Sequence, residues 1–315
     1  MPIPRGARWQ LPDADRPVLL AGPTASGKSA LALELALRQG RAVINADALQ
    51  VYACWHILTA RPDAQALRAA PHLLYGHRPC TEGYSAGQWL REVTAILHDH
   101  PRAVITGGTG LYFTALTEGL AEIPPVAPEI RAEAGSRLAE RGLAAMVSEL
   151  DPRSRARIDT ANPARVQRAW EVLRATGRGI AAWQDDTGPP LLPEGSATRL
   201  VIEAAPGWLA ERIDRRFERM VHEGALDEVR AARDWWHPDL PASRAIGARE
   251  LMAYLDGACT LDAALADAKT ATRRYAKRQR SWFRNRMAGW RRIAPPLGED
   301  TPALGGGDGP RTWPM

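Results

Sequence analysis

Short apolar runs alternate with helical segments over the first part of the chain, from residue 17 to about residue 118. Apolar runs bounded by glycine or proline are typical of buried parallel strands. Candidate strands lie at 17–21, 41–46 and 102–106, and a fourth lies much later, at 198–204. Strands separated by helical patterns predict an α/β fold in which helices flank a parallel sheet.

The segment between the third and fourth strands has a different composition and a helical pattern. Residues 119–197 open with a proline-rich stretch and continue as helical segments rich in Arg, Ala and Glu. We interpret them as an all-helical domain inserted into a core made of residues 1–118 and 198–295. The tail at 296–315 is rich in glycine and polar residues and is predicted to be disordered.

Residues 22–29 connect the first predicted strand to a predicted helix and read GPTASGKS. This fits the phosphate loop G-x-x-x-x-G-K-[ST], in which backbone N–H groups and a helix N-terminus surround a phosphate. Lys28 would reach the outer phosphates, and Ser29 is placed to bind magnesium. The strong helix formers at 30–37 supply the helix that this motif requires. The predicted fold class is therefore α/β with a P-loop core and an inserted all-helical domain.

The positive charge of the chain is concentrated in one segment. Lys and Arg number 41 against 36 acidic residues, a net charge of +5. Residues 269–292 contain ten basic residues and no acidic one, which leaves 31 basic and 36 acidic residues elsewhere, a net charge of −5. The segment lacks glycine and proline as far as Gly289, so it is predicted to form a long helix. Its basic face indicates contact with a phosphate backbone; the alternative is a solvated surface helix.

Cysteine spacing and hydropathy indicate the compartment. Cys54, Cys80 and Cys259 are far apart in sequence and form no C-x-x-C pair, so we expect them to be reduced thiols without a role. No run of about 18 apolar residues occurs, and the N-terminus lacks the apolar core of a signal peptide. A cytoplasmic protein without membrane association is therefore expected. The sequence does not determine the oligomeric state, for which a monomer is the default.

One acidic residue stands out near the phosphate loop. Strand 102–106 runs into Gly-Gly-Thr-Gly with no acidic residue at its end, unlike enzymes in which such a residue orders magnesium for phosphoryl transfer. Asp47 instead follows strand 41–46, at the sheet edge where ligands bind in open α/β folds. This arrangement fits a reaction in which diphosphate leaves and Asp47 removes a proton from the attacking group. A helix cap or a magnesium ligand is the alternative role for Asp47.

Several stretches of the sequence resemble the tRNA dimethylallyltransferases, also called tRNA isopentenyltransferases. They include GPTASGKS at 22–29, INADALQVY at 44–52, ITGGTGLYFTAL at 105–116, LPASRAIGARE at 240–250 and TRRYAKRQRSWFR at 272–284. They occur in the family's order and extend over most of residues 17–290.

The resemblance implies transfer of a dimethylallyl group from dimethylallyl diphosphate to N6 of the adenosine next to the anticodon, position 37 of tRNA, with release of diphosphate. It implies Asp47 as the base and Thr24 as a group that positions diphosphate and base. Arg244 would contact the diphosphate from the opposite side, and Thr109 would lie beside the channel where the substrates meet. The implied cofactor is Mg²⁺, with Ser29 as its protein contact.

The resemblance also assigns binding residues. Diphosphate would be bound by Gly22, Pro23, Thr24, Ala25, Ser26, Gly27, Lys28, Ser29 and Arg244. The inserted helical domain would grip the anticodon stem-loop. The residues expected to contact tRNA are Asp47, Ala48, Leu49, Gln50, Thr109, Arg131, Arg165, Gln167, Arg168, Arg249, Lys277, Arg278 and the residue at position 280, which is Arg280. No obligate protein partner is implied.

The sequence departs from the family at three positions and leaves other functions open. Ala48 stands where serine is common, and Ala248 and Glu250 stand where tyrosine and glutamine are common. A small-molecule or nucleotide kinase on the same loop would consume ATP. A prenyltransferase for free AMP would leave the insertion and the basic segment without a purpose. An RNA-binding module without activity is disfavoured by the joint presence of the predicted phosphate-binding and base residues.

Overall fold

A computed structural model describes residues 11–296 of the 315-residue chain. These residues form two compact units. The first contains residues up to Thr114 and from Leu192 onward, and the second is Ala115–Leu191.

The first unit is built on a parallel sheet, which has six strands within the described residues. The strands are β1 Val18–Ala21, β2 Val43–Asn45, β3 His72–Leu73, β4 Val104–Gly107, β5 Thr198–Ile202 and β6 Arg291–Ile293. Their order across the sheet is β3-β2-β4-β1-β5-β6. Val18 of β1 is in register with Val104 on one side and with Thr198 on the other. All four residues of β1 are buried, as expected for a strand covered on both faces.

Helices connect the strands and continue beyond them. They are α1 Lys28–Gln39, α2 Ala64–Ala69, α3 Ala86–Asp99, α4 Gly110–Glu118, α5 Pro128–Ser148, α6 Pro152–Arg157, α7 Pro163–Thr176, α8 Ile180–Asp185, α9 Pro206–His222, α10 Ala225–Ala231, α11 Ala248–Leu255 and α12 Leu261–Arg286, with a 3-10 helix at Pro241–Arg244. Local sequence sets their ends; α3, for example, begins with a capping box formed by Ser85 and Gln88. The predicted α/β class, with a P-loop core and a parallel sheet flanked by helices, is confirmed.

The second unit contains helices α5 to α8 and, among its described residues, no strand. Its core consists of Ala134, Met146, Leu150, Val166, Ala169 and Trp170. The Trp170 indole N–H donates to Glu149 at 2.7 Å, and Arg137 donates three hydrogen bonds of 2.6, 2.7 and 2.9 Å to the same carboxylate. The unit spans Ala115–Leu191, against the predicted 119–197.

The basic segment forms a long helix, as predicted, up to Arg286, but the helix has different bounds from the segment. α12 begins at Leu261, where the Thr260 hydroxyl accepts the Ala263 N–H at 3.3 Å and so caps the helix. It ends at Arg286, and Arg292 lies in β6, because pairing with β5 takes over from the helix. The strands β3 and β6 were not predicted, since both are short and lie at the edges of the sheet.

The expectation that the cysteines are independent thiols is also wrong. Cys54 and Cys80 form a disulfide, with Cα atoms 6.1 Å apart. The cause is tertiary pairing between two loops, in which the Ala53 N–H donates to Arg78 O at 2.9 Å. The two cysteines are separated by 26 positions, so their spacing gave no sign of the pairing. Cys259 is free and half-buried.

Two predictions concern membrane-spanning helices and the ends of the chain. No helix between residues 11 and 296 is long and apolar enough to cross a membrane. The predictions for residues 1–10 and for the tail beyond residue 296 concern positions outside the described residues.

Candidate active site

The predicted phosphate loop connects β1 to α1 at the carboxyl edge of the sheet. It turns through two residues with positive φ, Ala25 at 62° and Gly27 at 85°, and α1 begins at the next residue, Lys28. The Ser26 N–H donates to Pro23 O at 3.2 Å. The Ser26 hydroxyl is buried and has no hydrogen-bond partner in the described part of the chain. The loop therefore places backbone N–H groups at a helix N-terminus, the arrangement that binds phosphate.

Lys28 is a buried cation in this loop. It is 9% exposed, and its Nζ lies 3.5 Å from Pro23 O. Burial lowers the pKa of Lys28 to about 8, while the Asp47 carboxylate opposes this shift and the Arg216 guanidinium adds to it. A buried cation with a half-buried one near it, Arg216, favours an anionic ligand. Ser29, the next residue, is exposed in the first turn of α1.

Asp47 follows β2 and is held by its neighbours. The Asp47 N–H donates to Asn45 Oδ1 at 2.8 Å, and Asn45 Nδ2 donates to Asp47 O at 2.9 Å. Asn45 itself is fully buried, and its carbonyl accepts the Trp89 indole N–H at 2.8 Å. Asp47 Oδ1 accepts the Leu49 N–H at 3.0 Å. Oδ2 has no hydrogen-bond partner among the described residues, so it is available to accept a proton.

The Gly-Gly-Thr-Gly sequence at 107–110, which begins at the last residue of β4, packs directly against the Asp47 loop. A Cβ at Gly107 would lie 2.0 Å from Ala46 O, so only glycine permits this approach. Thr109 Oγ1 accepts the Ala48 N–H at 2.9 Å, and the Thr109 N–H donates to Ala46 O at 3.1 Å. Thr109 therefore contacts the loop that carries Asp47, and its contact with position 48 uses the backbone, which Ala48 supplies as well as serine would. Its place beside the substrate channel stays a prediction.

A cavity opens in the first unit beside these loops. It is lined by Thr24, Asp47, Leu49, Leu58, Thr59, Ile213, Arg216, Phe217, Met220, Ile246, Thr272 and Tyr275. One wall is apolar and comes mainly from α9. Asp47 and Thr24 are also part of the lining. The cavity thus joins a hydrophobic surface to a carboxylate and an anion-binding loop.

Of the twelve lining residues, the sequence predicted only Thr24, Asp47 and Leu49 as site residues; the two titratable ones that it missed are Arg216 and Tyr275. Arg216 lies on α9 between Ile213 and Met220, and burial lowers its pKa to about 10, against the opposing effect of Asp47. Arg216 could have been predicted from the sequence, because it is a basic residue within a stripe of apolar residues at helical spacing. Burial, and then the Asp47 carboxylate, raise the pKa of Tyr275, so its hydroxyl keeps its proton at neutral pH.

The predicted arginines near the 3-10 helix lie elsewhere. Arg244 is exposed at the end of that helix and is not a lining residue, although Ile246 two positions on is. Arg249 is exposed on α11. The described residues thus place Arg216, rather than Arg244, in the cavity wall, and the diphosphate role of Arg244 stays a prediction.

The tRNA-contact residues predicted in the first unit differ in exposure. Lys277 and Arg278 are exposed on α12, and Arg280 is half-buried. Gln50 Nε2 donates to Thr59 O at 2.8 Å, so its amide also shapes the loop that lines the cavity. These positions leave the basic face of α12 open to a ligand.

The predicted residues of the second unit include two that share one partner. Gln167 Nε2 donates to Glu171 at 3.1 Å, and Arg168 lies 3.6 Å from the other oxygen of that carboxylate. Arg131 and Arg165 are exposed. The role of these four residues in tRNA binding stays a prediction.

The fold and the site define a class of protein. A phosphate loop that carries the buried Lys28 connects β1 to α1, the cavity beside it is lined by Asp47 and Arg216, and β4 ends in Gly107 with no acidic residue directly after it. These are the features of a P-loop transferase. The chain belongs to the IPP transferase family, whose model matches residues 50–286.

Individual relatives extend over nearly the whole chain. The tRNA dimethylallyltransferase of Cereibacter sphaeroides strain KD131 is 64% identical over 296 residues, which are 93% of this chain and 94% of the relative. The solved tRNA isopentenylpyrophosphate transferase of Bacillus halodurans is 30% identical, with a TM-score of 0.62 over 89% of this chain and 90% of that one. A eukaryotic dimethylallyltransferase acting on tRNA shares the fold, with a TM-score of 0.75, 23% identity, and coverage of 88% of this chain and 73% of that one.

Proposed function

We propose that the protein transfers a dimethylallyl group from dimethylallyl diphosphate to N6 of adenosine 37 in tRNA and releases diphosphate. The curated relatives are named tRNA dimethylallyltransferases. The observation that carries the proposal is a cavity lined by Asp47, Arg216 and apolar side chains, beside the phosphate loop that carries the buried Lys28. Such a cavity suits a substrate that is an anion at one end and a hydrocarbon at the other.

The diphosphate end would bind at the phosphate loop. Backbone N–H groups at the start of α1, with Lys28 and Arg216, would neutralise the charge that grows on the departing diphosphate. The five-carbon group would lie against the apolar wall, where Leu58, Phe217 and Met220 exclude water from the reacting carbon.

The acceptor nitrogen needs a base. The lone pair of adenine N6 is delocalised into the ring, so its proton must leave as the new C–N bond forms and the C–O bond to diphosphate breaks. Asp47 Oδ2, which has no hydrogen-bond partner among the described residues, would take that proton. The adenine must leave the stack of the anticodon loop to reach it.

The residues present fit a magnesium ion at the diphosphate. Mg²⁺ is usually held by one or two protein oxygens together with phosphate oxygens and water. The described residues contain no group of three His, Cys, Asp or Glu side chains suited to a metal, and the exposed Ser29 hydroxyl at the start of α1 supplies one oxygen. When bound there, the ion would add positive charge beside the leaving diphosphate.

We assign tRNA binding to two surfaces. The exposed basic residues of α12 would contact phosphates, and the second unit would bind the anticodon stem-loop through its predicted arginines. In this proposal the reaction takes place in the cytoplasm, where tRNA is found. The protein acts as a monomer.

The test is incubation of the purified protein with Mg²⁺, dimethylallyl diphosphate and a tRNA that has adenosine at position 37. Digestion to nucleosides and mass spectrometry should show one five-carbon prenyl unit on adenosine, without ATP. Consumption of ATP with no prenylated nucleoside would instead support the kinase alternative. Free AMP in place of tRNA separates the proposal from a small-molecule prenyltransferase.

A further inference from the structure

Gln279 of α12 bridges the two loops that frame the reaction site. Its Oε1 accepts the Thr24 N–H of the phosphate loop at 2.9 Å, and its Nε2 donates to Gly108 O at 3.0 Å. The residue is 5% exposed, so water does not compete for these hydrogen bonds. One side chain therefore connects the loop after β1 to the loop after β4.

Both loops carry groups that the proposed reaction needs. Thr24 lines the cavity. Gly108 precedes Thr109, which holds the Asp47 loop through Ala48. A Cβ on Gly108 would lie 2.1 Å from Gln279 Nε2 and 3.4 Å from Asp47 Oδ2. The Gln279 amide and the Asp47 carboxylate are therefore both close to the backbone of Gly108.

We propose that Gln279 is a positioning residue that fixes the phosphate loop relative to the Gly108–Thr109 loop, and thereby the diphosphate relative to the base Asp47. The inference rests on the proposed prenyl transfer for its kinetic consequence. The contact needs one acceptor and one donor at a fixed spacing, which a neutral amide supplies. A misplacement of about 1 Å between reacting groups costs up to about 100-fold in rate.

The position of Gln279 also separates its role from tRNA binding. Lys277 and Arg278, its near neighbours in sequence, are exposed on α12, whereas Gln279 points into the unit. Loss of the amide should therefore change the reaction step and diphosphate binding and leave tRNA affinity unchanged.

The test compares Gln279→Met and Gln279→Glu with the wild-type protein. Gln279→Met keeps the length of the side chain and removes both hydrogen bonds. Transfer to tRNA should fall at least about tenfold in kcat, with unchanged tRNA affinity. Binding of inorganic diphosphate, measured by calorimetry, should weaken. Gln65→Met and Gln65→Glu, at an exposed position of α2, are matched controls that should behave as wild type.

The pH profile of Gln279→Glu distinguishes positioning from simple packing. An ionised glutamate accepts the Thr24 N–H but cannot donate to Gly108 O, and it repels diphosphate. A protonated glutamic acid can do both, and burial raises its pKa. Activity relative to wild type should therefore recover as the pH falls from about 7.5 to about 5.5, while Gln279→Met shows no recovery.

A second variant covers the case in which changes at Gln279 prevent folding. Gly108→Ala leaves α12 intact and displaces the amide, so it should lower kcat and weaken diphosphate binding in the same way. Wild-type kcat and diphosphate affinity in Gln279→Met or in Gly108→Ala would overturn the proposal. If the wild-type protein fails to prenylate tRNA but Gln279→Met still binds diphosphate more weakly, the proposed function fails and the positioning role stands.

Discussion

The two carboxylate oxygens of Asp47 have different surroundings. Oδ1 is fixed by the Leu49 N–H, and Oδ2 has no partner in the described part of the chain. Asparagine at this position keeps the size and the hydrogen bond at Oδ1 and removes the basic oxygen, so the two functions of the side chain can be separated.

Asp47→Asn is expected to lower the rate of prenyl transfer by about 10²–10⁴-fold, the usual contribution of a general base. Affinity for tRNA should stay near wild type, because the fold of the loop is preserved. Single-turnover kinetics and filter binding measure the two quantities. Asp63→Asn, at the N-cap of α2, is the control, since asparagine and aspartate cap helices equally well. Equal loss of transfer and tRNA binding would mark Asp47 as a structural residue.

Lys28 predicts a pH dependence of diphosphate binding. Burial lowers its pKa to about 8, so the side chain is charged below that pH and loses its proton above it. Affinity of the free protein for inorganic diphosphate should therefore fall as the pH rises through about 8, well below the pH at which an exposed lysine titrates. Calorimetric titration between neutral and alkaline pH measures this. Lys28→Arg, whose charge persists, should lack the decline; an identical decline in that variant would assign the titration to another group.

At the scale of single elements, the start of α11 supports the apolar wall. Gly247 has φ +97°, and a Cβ there would lie 2.7 Å from Phe217 Cζ and 3.1 Å from Leu58 Cδ2, two lining residues. The backbone can approach the wall this closely only because glycine has no side chain.

Gly247→Ala should both destabilise the protein and raise KM for dimethylallyl diphosphate. Backbone strain at positive φ costs about 1–3 kcal/mol, and the displaced ring narrows the cavity. Gly257→Ala is the matched control, because Gly257 also has positive φ, at +75°, but nothing within 4 Å of the added atom. Thermal unfolding should show losses in both variants, whereas KM should change only in Gly247→Ala. A raised KM in both would attribute the effect to strain alone.

The disulfide joins two loops of the first unit and closes a segment of the chain that includes the Leu58 part of the cavity wall. Closing a loop of this length stabilises a fold by about 3 kcal/mol in the chain-entropy model. Reduction with dithiothreitol should therefore lower Tm of the oxidised protein. The double variant Cys54→Ser, Cys80→Ser should unfold at the lower temperature under both conditions. An unchanged Tm on reduction would show that the bridge contributes nothing to stability.

Sequence patterns predicted the parts of the fold and site that are continuous in the chain. The phosphate loop depends on a local order of strand, loop and helix, and Asp47 follows a strand directly, so both could be read without tertiary contacts. Arg216, Gln279 and the cysteine pair depend on which distant segments meet. The sequence around Gln279 does not show which loops its side chain contacts. Gln279 differs from its exposed basic neighbours by lying on the buried face of α12.

At the scale of the whole molecule, the excess of positive charge resides in residues 269–292, and several of those side chains are exposed on α12. The double variant Lys277→Ala, Arg278→Ala should weaken tRNA binding and reduce the slope of log affinity against log salt by about 1 for each phosphate that is no longer neutralised. Diphosphate affinity should not change. Arg68→Ala, Arg102→Ala removes the same charge from exposed positions elsewhere and should leave the slope as it is. Equal slopes of log affinity against log salt in both variants would show that the RNA-binding surface does not include these residues of α12.

The distance in sequence between Thr24 and Gln279 also determines when the protein can become active during its synthesis. The two residues are 255 positions apart, and ribosomes add about 5–20 residues per second. Roughly 10 to 50 s therefore pass between synthesis of the phosphate loop and synthesis of the side chain that holds it. A nascent chain that already carries the loop lacks α9 and α12, which supply much of the cavity lining, and lacks the contact by which Gln279 is proposed to position the loop.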